Sequence, residues 1–181
     1  MPPLAFRANS NVRVIATSEG SLVTVNGEKS STIAPQNFSE ISPNGEPLWV
    51  RSDRPVQVAL YGRGFGGGDS IGDPCMIMVP SKEQFAREQM ITALAEPNWK
   101  HYVTVICPPG HTKEVLINGI VIEPFTFKHH YSGYRYTSVL SAPGSHLISS
   151  SMPVGLFVHG IGTGVNVYDA YGTNGSMVIR R

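Results

Sequence analysis

The sequence is poor in charge, in cysteine and in long apolar runs, and each shortage closes a class of protein. Charged residues make up 15% of the 181, against ~25% in an average soluble domain. Fourteen Lys and Arg against thirteen Asp and Glu leave a net charge of +1, so no basic field recruits nucleic acid or an anionic membrane surface. The two cysteines, Cys75 and Cys107, fit neither a zinc spacing nor a C-x-x-C motif. Packed thiols account for them; a single disulfide between neighbouring strands would require an extracellular setting. No stretch approaches the ~18 unbroken apolar residues of a membrane-spanning helix. The opening MPPLAFRANSNVRV lacks the basic and apolar blocks of a secretion signal. No serine sits in Gly-x-Ser-x-Gly and no carboxylate pair stands out, which leaves an enzyme, a carbohydrate-active one included, as a remote alternative.

What is abundant is glycine (19) and proline (14), a density that punctuates many short elements and excludes a helix bundle. Between the breaks, apolar residues alternate with period two. Val12, Val14 and Ala16 face one way in NVRVIAT, with Arg13 and Ile15 opposite. Further strands are expected at 22–25, 48–50, 56–61, 76–79, 102–107, 115–117, 120–122, 134–140, 146–149, 154–159 and 176–179. Short strands at this spacing read as an all-β sandwich or barrel. The one expected helix is KEQFARE, opened by Ser81-x-x-Gln84 as a capping box. Whether residues 90–95 continue that helix or form a strand stays open, since Ile91 and Thr92 favour a strand.

The two halves of the chain resemble each other. VRVIAT, VTVNG and RPVQVALYGRG in the first half align with VTVICP, VLING and MPVGLFVHGIG in the second. Val12 matches Val103, Asn26-Gly27 matches Asn118-Gly119, and Pro55 matches Pro153. The separation grows from 91 to 98 residues between the first and last of these pairs, which places an insertion in the second copy, with FKHHYSGYRY as its natural site. The expected fold is therefore all-β: two repeated β-sandwich or jelly-roll-like modules packed together, residues 8–68 and 100–172. A bridge of residues 69–99 holds Gly-Asp-Pro, a strand and the short helix; residues 173–181 form a terminal strand or tail.

Two groups of residues carry a family resemblance. One is Gly72-Asp73-Pro74 before an apolar strand. The other is Gly144-Ser145-His146-x-Ile148-x-Ser150-x-x-Pro153-Val154-Gly155, leading to Gly160 and Tyr171-Gly172. Together they resemble the N-terminal domain type of IgG Fc-binding proteins, which also occurs in large bacterial surface proteins. The resemblance implies a repeated β architecture and a binding or adhesive role, and it brings no catalytic residues.

No metal or cofactor site is expected. His129 and His130 are adjacent, so in a strand they point to opposite faces; His146, inside Gly-Ser-His, is expected to fix a turn. The run Gly62-Arg63-Gly64-Phe65-Gly66-Gly67-Gly68 lacks the Gly-Lys-Ser/Thr ending of a phosphate loop, and reads as a surface loop tipped by Phe65. Asp69 and Asp73 lack the alternating oxygen ligands of a calcium loop. Asn37 and Asn174 stand in sequons, which matter only on a secretory route.

The candidate partner contacts are Arg63 and Phe65 on the glycine-rich loop, and His130, Tyr131, Tyr134, Arg135 and Tyr136 on the insertion. Tyr and Arg combine apolar area with polar tips and are favoured at interfaces. The competing reading is that alternate tyrosines pack on the sheet. The overall expectation is a non-enzymatic interaction protein whose partners are other protein subunits in a symmetric homo- or hetero-oligomer, such as a phage decoration, collar or tail component of a virion. The alternative is a secreted or cell-surface adhesion module with a glycan or host-surface ligand.

Overall fold

Alternating apolar side chains become strands here because each strand can bury one face against a neighbour. The computed structural model describes residues 1–5, 10–67, 72–95, 98–130, 132–163 and 169–175. The first half holds β1 (Ser10–Ala16), β2 (Ser21–Val25), β3 (Glu28–Ile33), β4 (Phe38–Ile41), β5 (Val50–Ser52), β6 (Val56–Gly62) and β7 (Cys75–Met78). They form two sheets, β4-β1-β6-β7 and β3-β2-β5. Val12, Val14 and Ala16 are buried as the alternation requires.

The second half holds β8 (Ala86–Ala93), β9 (Trp99–Cys107), β10 (Val115–Ile117), β11 (Ile120–Val121), β12 (Lys128–His129), β13 (Arg135–Ser141), β14 (Gly144–Gly162) and β15 (Ala170–Asn174). Two expected strands, 146–149 and 154–159, are one 19-residue strand, β14. Its first part pairs with β10 and β8, and its second part with β9 and β15. The pairing register shifts between Ser149 and Val154, where β14 passes from its β10 and β8 partners to its β9 and β15 partners within one eight-stranded sheet. In the first half the same passage is made at Asp53-Arg54-Pro55, between β5 and β6.

Pairing registers in the two halves coincide. Val12 faces Leu60 and Ile41, as Val103 faces Val158 and Val139. Val25 faces Val50, as Ile117 faces Ile148. Ile77 faces Leu60, as Thr173 faces Val158. The hairpins β2–β3 and β10–β11 turn at Asn26-Gly27 and Asn118-Gly119, with φ of 51° and 84° against 52° and 79°. Two positive φ values in succession make a type I′ turn, which suits Asn-Gly. Phe38 and Tyr136 occupy matching positions, because each lies three residues before the partner of Val12 or Val103. The extra residues of the second copy therefore lie before Tyr136, in the region expected from the sequence.

The halves differ in burial. Every residue of β9 from His101 to Cys107 is buried. Val103 and Val105 face the second core, with Ile148 and Leu156, while Ile106 joins Phe157 in the first core, with Val12, Leu48 and Leu60. In β1, the residues matching Thr104 and Ile106 are Arg13 and Ile15, both only half-buried. The first half thus covers the outer face of the second half's main sheet, and its own equivalent face stays near solvent.

The expected helix at KEQFARE is not formed. One 3₁₀ turn spans Lys82–Gln84, and β8 begins at Ala86. The capping signal is real but local: Gln84 Oε1 accepts the Ser81 N–H at 2.9 Å. Phe85 then leaves the turn in extended geometry (φ −63°, ψ 145°). Its ring lies over Gly155, where a Cβ would come within 2.4 Å of it. From Gln89 onward buried and exposed residues alternate with period two. Packing on β14 overrides helix propensity there, and Met90 to Ala93 are strand. Four further strands, β3, β4, β12 and β15, were not expected; they are short and carry polar residues. The expected strand at 176–179 lies outside the described residues.

Candidate functional site

The region around the insertion is built on Trp49, which stands just before β5 on the outer face of the β3-β2-β5 sheet. Trp49 is locked from below by Asn26, whose N–H donates to the Trp49 carbonyl (2.9 Å) and whose Oδ1 accepts the Trp49 N–H (2.8 Å). The Tyr134 ring lies 5.3 Å from the indole, centroid to centroid, and 6.4 Å edge-on from Phe85. Aromatic rings at these separations attract one another beyond their burial. Tyr134 thus ties the insertion of the second half to the first half's sheet.

An open groove of about 600 Å³ runs over the β2–β5 face, lined by Leu22, Thr24, Trp49, Arg51, Asp53 and Ser132. Thr24 and Arg51 are directly paired across the two strands. Asp53 is fixed: Oδ1 accepts the Leu22 N–H at 2.7 Å and the Ser21 hydroxyl at 3.0 Å. Those bonds, the Leu22 N–H first, hold its carboxyl below the usual range. Arg51 is exposed and lines the groove together with Trp49. The other lip is the turn at Ser132, where a shallow cleft between the halves is lined by Trp49, His130, Tyr134, Arg135 and Tyr136.

The expected contact residues fall into two places. Tyr134, Arg135 and Tyr136 share the cleft with Trp49; Arg135 is exposed and both tyrosines are half-buried. Burial pushes the Tyr136 phenol up in pKa, with the nearby Glu46 adding to it. His130 is nearly buried where it lines the cleft. It is 9% exposed, and its Nδ1 faces the Ser132 hydroxyl at 2.8 Å and accepts the Ser132 N–H at 3.2 Å. Its backbone N–H donates to the Tyr134 carbonyl at 3.0 Å, and its carbonyl accepts the Gly133 N–H at 2.9 Å. It is the hub of the turn, and burial lowers its pKa. Tyr131 lies outside the described residues.

Arg63 and Phe65 line neither the groove nor the cleft. Arg63 bonds the Asn11 Oδ1 through Nε (3.1 Å) and Nη2, and the Ser42 hydroxyl through Nη2 (3.1 Å), so its guanidinium staples loop to sheet. Phe65 is 55% exposed, and its N–H donates to the Gly72 carbonyl at 2.7 Å. Gly64 beside it has φ +75° and lies so close to Asp73 and Pro74 that a Cβ would come within 2.6 Å of the Pro74 nitrogen. His146 fixes a turn as expected: its Nε2–H donates to the Ala142 carbonyl at 2.8 Å, leaving Nδ1 to accept from the Asn118 amide at 3.0 Å. Neither Cys75 nor Cys107 is part of a disulfide.

Sequence reasoning missed Trp49, Arg51 and Asp53. Their signal was present: Trp49, Arg51 and Asp53 alternate along one strand face, with two charged groups beside an indole. Residues 48–50 read only as one more short strand, and that masked it.

A family model described as IgGFc binding protein matches residues 1–160 of the chain. No curated protein and no solved structure matches it.

Proposed function

The chain belongs to the IgGFc binding protein family, and from that membership we propose that it is a non-enzymatic protein-binding β module of a secreted or surface protein. The observation that carries this reading is the groove in which Trp49 and Arg51 stand on one wall and Ser132 on the other. Trp and Arg are both favoured hot-spot residues for protein partners. Asp53, the groove's carboxylate, is committed to Leu22 and Ser21, which suits a fixed anion rather than a group that exchanges protons with a substrate.

The family favours the secreted or surface setting over the virion particle. The partner class that the family's name supplies is the Fc part of immunoglobulin G, and it is the probe of choice. Immobilised Fc fragment should bind the protein saturably. The double reversal Arg51→Glu with Arg135→Glu should weaken that binding at least about tenfold, the loss expected from two hot-spot cations, at unchanged melting temperature. Absence of saturable binding, or binding indifferent to the reversal, would count against the groove as the Fc site.

A further inference from the structure

The His130 ring stands between the two walls of the groove and is bonded to both. On the insertion side, Nδ1 accepts the Ser132 N–H at 3.2 Å and lies 2.8 Å from the Ser132 hydroxyl. A nitrogen that accepts carries no proton, so the neutral imidazole keeps its proton on Nε2. On the first-half side, the ring bonds the Pro47 carbonyl. That carbonyl also accepts the Asn26 amide at 3.4 Å, so it belongs to the clamp that fixes Trp49. Ser132 lines the groove opposite Trp49 and lines the cleft as well. One imidazole therefore ties the turn at Ser132 to the segment that carries the indole.

Protonation breaks one tie and spares the other. In the imidazolium both nitrogens donate. The Pro47 carbonyl keeps its donor. Nδ1–H finds the Ser132 hydroxyl oxygen, but it now faces the Ser132 N–H, which loses its acceptor, and a partly buried donor without an acceptor is costly. The other bonds of the turn, from the His130 N–H to Tyr134 and from the Gly133 N–H to His130, do not involve the ring. The strain therefore falls on Ser132. The surroundings offer the charge no partner. The titratable groups of the cleft lining are the Met1 amine, Tyr134, Arg135 and Tyr136, with no carboxylate among the described ones. Burial first, then the Met1 amine and His129, lower the pKa of His130 against the Pro47 bond, which raises it. Glu46 acts on Tyr136.

We infer that His130 is a proton-operated latch on the groove: the neutral ring holds the Ser132 wall opposite Trp49, and protonation at Nδ1 releases that wall and weakens partner binding as pH falls below neutrality. This inference rests on the protein-binding reading above and adds the regulation of the same site. The sign follows from linkage. With the turn open, the imidazole titrates near 6.5; with the turn closed, it takes the proton less readily. Acid therefore favours the open turn. One proton titrating at 6.5 shifts that balance by at most about tenfold between pH 7.5 and 5.5.

The test measures Fc affinity at pH 7.5 and 5.5, beside an NMR titration of the His130 ring and the Ser132 amide over the same range. In the unmodified protein, affinity should fall about threefold to tenfold, the upper figure being the one-proton ceiling. In His130→Asn it should fall less than twofold, because Oδ1 accepts the Ser132 N–H at either pH; comparing the two cancels any titration of Fc itself. The Ser132 amide should shift with the same midpoint as the ring. The protein acetylated at Met1 should respond like the unmodified one, which separates the ring from the Met1 amine, lowered by burial to about 5. The NMR arm keeps the test decisive should His130→Asn fail to fold. A ring still neutral at pH 5.5, a ring that titrates while the Ser132 amide stays still, or a response abolished by acetylation would overturn the latch. Saturable Fc binding with the same pH response in His130→Asn would overturn it while leaving the protein-binding reading intact. Coupled titration of ring and amide without Fc binding at either pH would support the latch and remove Fc as the partner.

Discussion

Asn26 grips Trp49 as Asn118 grips Leu147. Each asparagine accepts its partner's N–H through Oδ1, at 2.8 Å and 2.9 Å, and donates its own N–H to the partner's carbonyl, at 2.9 Å and 2.8 Å. One residue type thus performs two tasks at each hairpin: it tolerates the left-handed turn and holds the end of the next strand in register. Asn26→Gly keeps the backbone freedom and loses the side-chain bond, so it should cost ~1 kcal/mol. Asn26→Ala loses the bond and strains φ as well, and should cost ~2 kcal/mol. The same ordering should hold at Asn118. Denaturant titration of the four variants checks it; alanine no worse than glycine would remove the conformational part of the argument.

The equivalence of these turns was legible in the sequence because Asn-Gly has few uses other than a type I′ turn. The alternation in Val12, Val14 and Ala16 was legible for the same kind of reason. Ser81-x-x-Gln84 was legible only locally: the bond it implies forms, but Phe85 over Gly155 and the pairing of Gln89 and Ile91 with β14 decide the rest. No window of sequence contains that decision, since the two strands are some sixty residues apart. The site was half legible. Aromatic and cationic residues at 134–136 stood out, but Trp49, which they meet, read only as part of one more short strand. His130 stood out as a neighbour of those tyrosines and Arg135, and its burial depends on a turn closed through Ser132 and Tyr134.

The position of Tyr134 separates a structural from a recognition role. Its ring packs on Trp49 and Phe85, so Tyr134→Ala should lower stability by ~2 kcal/mol, less than a fully buried aromatic loses. Arg135, next to it and exposed, should change stability by less than ~0.5 kcal/mol when made alanine. Thermal melting of the two variants distinguishes them. Equal, small effects would mean that the aromatic pair does not join the halves.

The two thiols should differ in reactivity. Cys107 is fully buried and its pKa is pushed up to about 11 by burial, with Glu114 adding to it. Cys75 is half-buried on β7. Only thiolate reacts with alkylating agents, so iodoacetamide on the native protein near neutral pH should label Cys75 first and leave Cys107 until unfolding. Peptide mapping by mass spectrometry reads the order. Early labelling of Cys107 would mean that the second core opens more readily than its packing implies.

Acid should weaken the fold through two buried histidines. His101 is 1% exposed, with Nδ1 3.0 Å from the Tyr171 hydroxyl and Trp99 stacked 6.1 Å away. Burial lowers its pKa, and the charge of His146 lowers it further; burial likewise lowers that of His130. In the unfolded chain both titrate near 6.5. The folded state therefore binds fewer protons than the unfolded state as pH falls through that value. Their contribution is fully present above about 6.5 and is lost as pH drops toward the lower folded values. Unfolding free energy measured by denaturant at pH 7.5, 6.5 and 5.5 should decline across the series. His130→Asn should start lower at pH 7.5, because it disturbs the Ser132 turn, but decline less steeply, because one of the two protonation sites is gone. A decline as steep as that of the parent would show that His130 is protonated without cost and that the turn at Ser132 accommodates the charge.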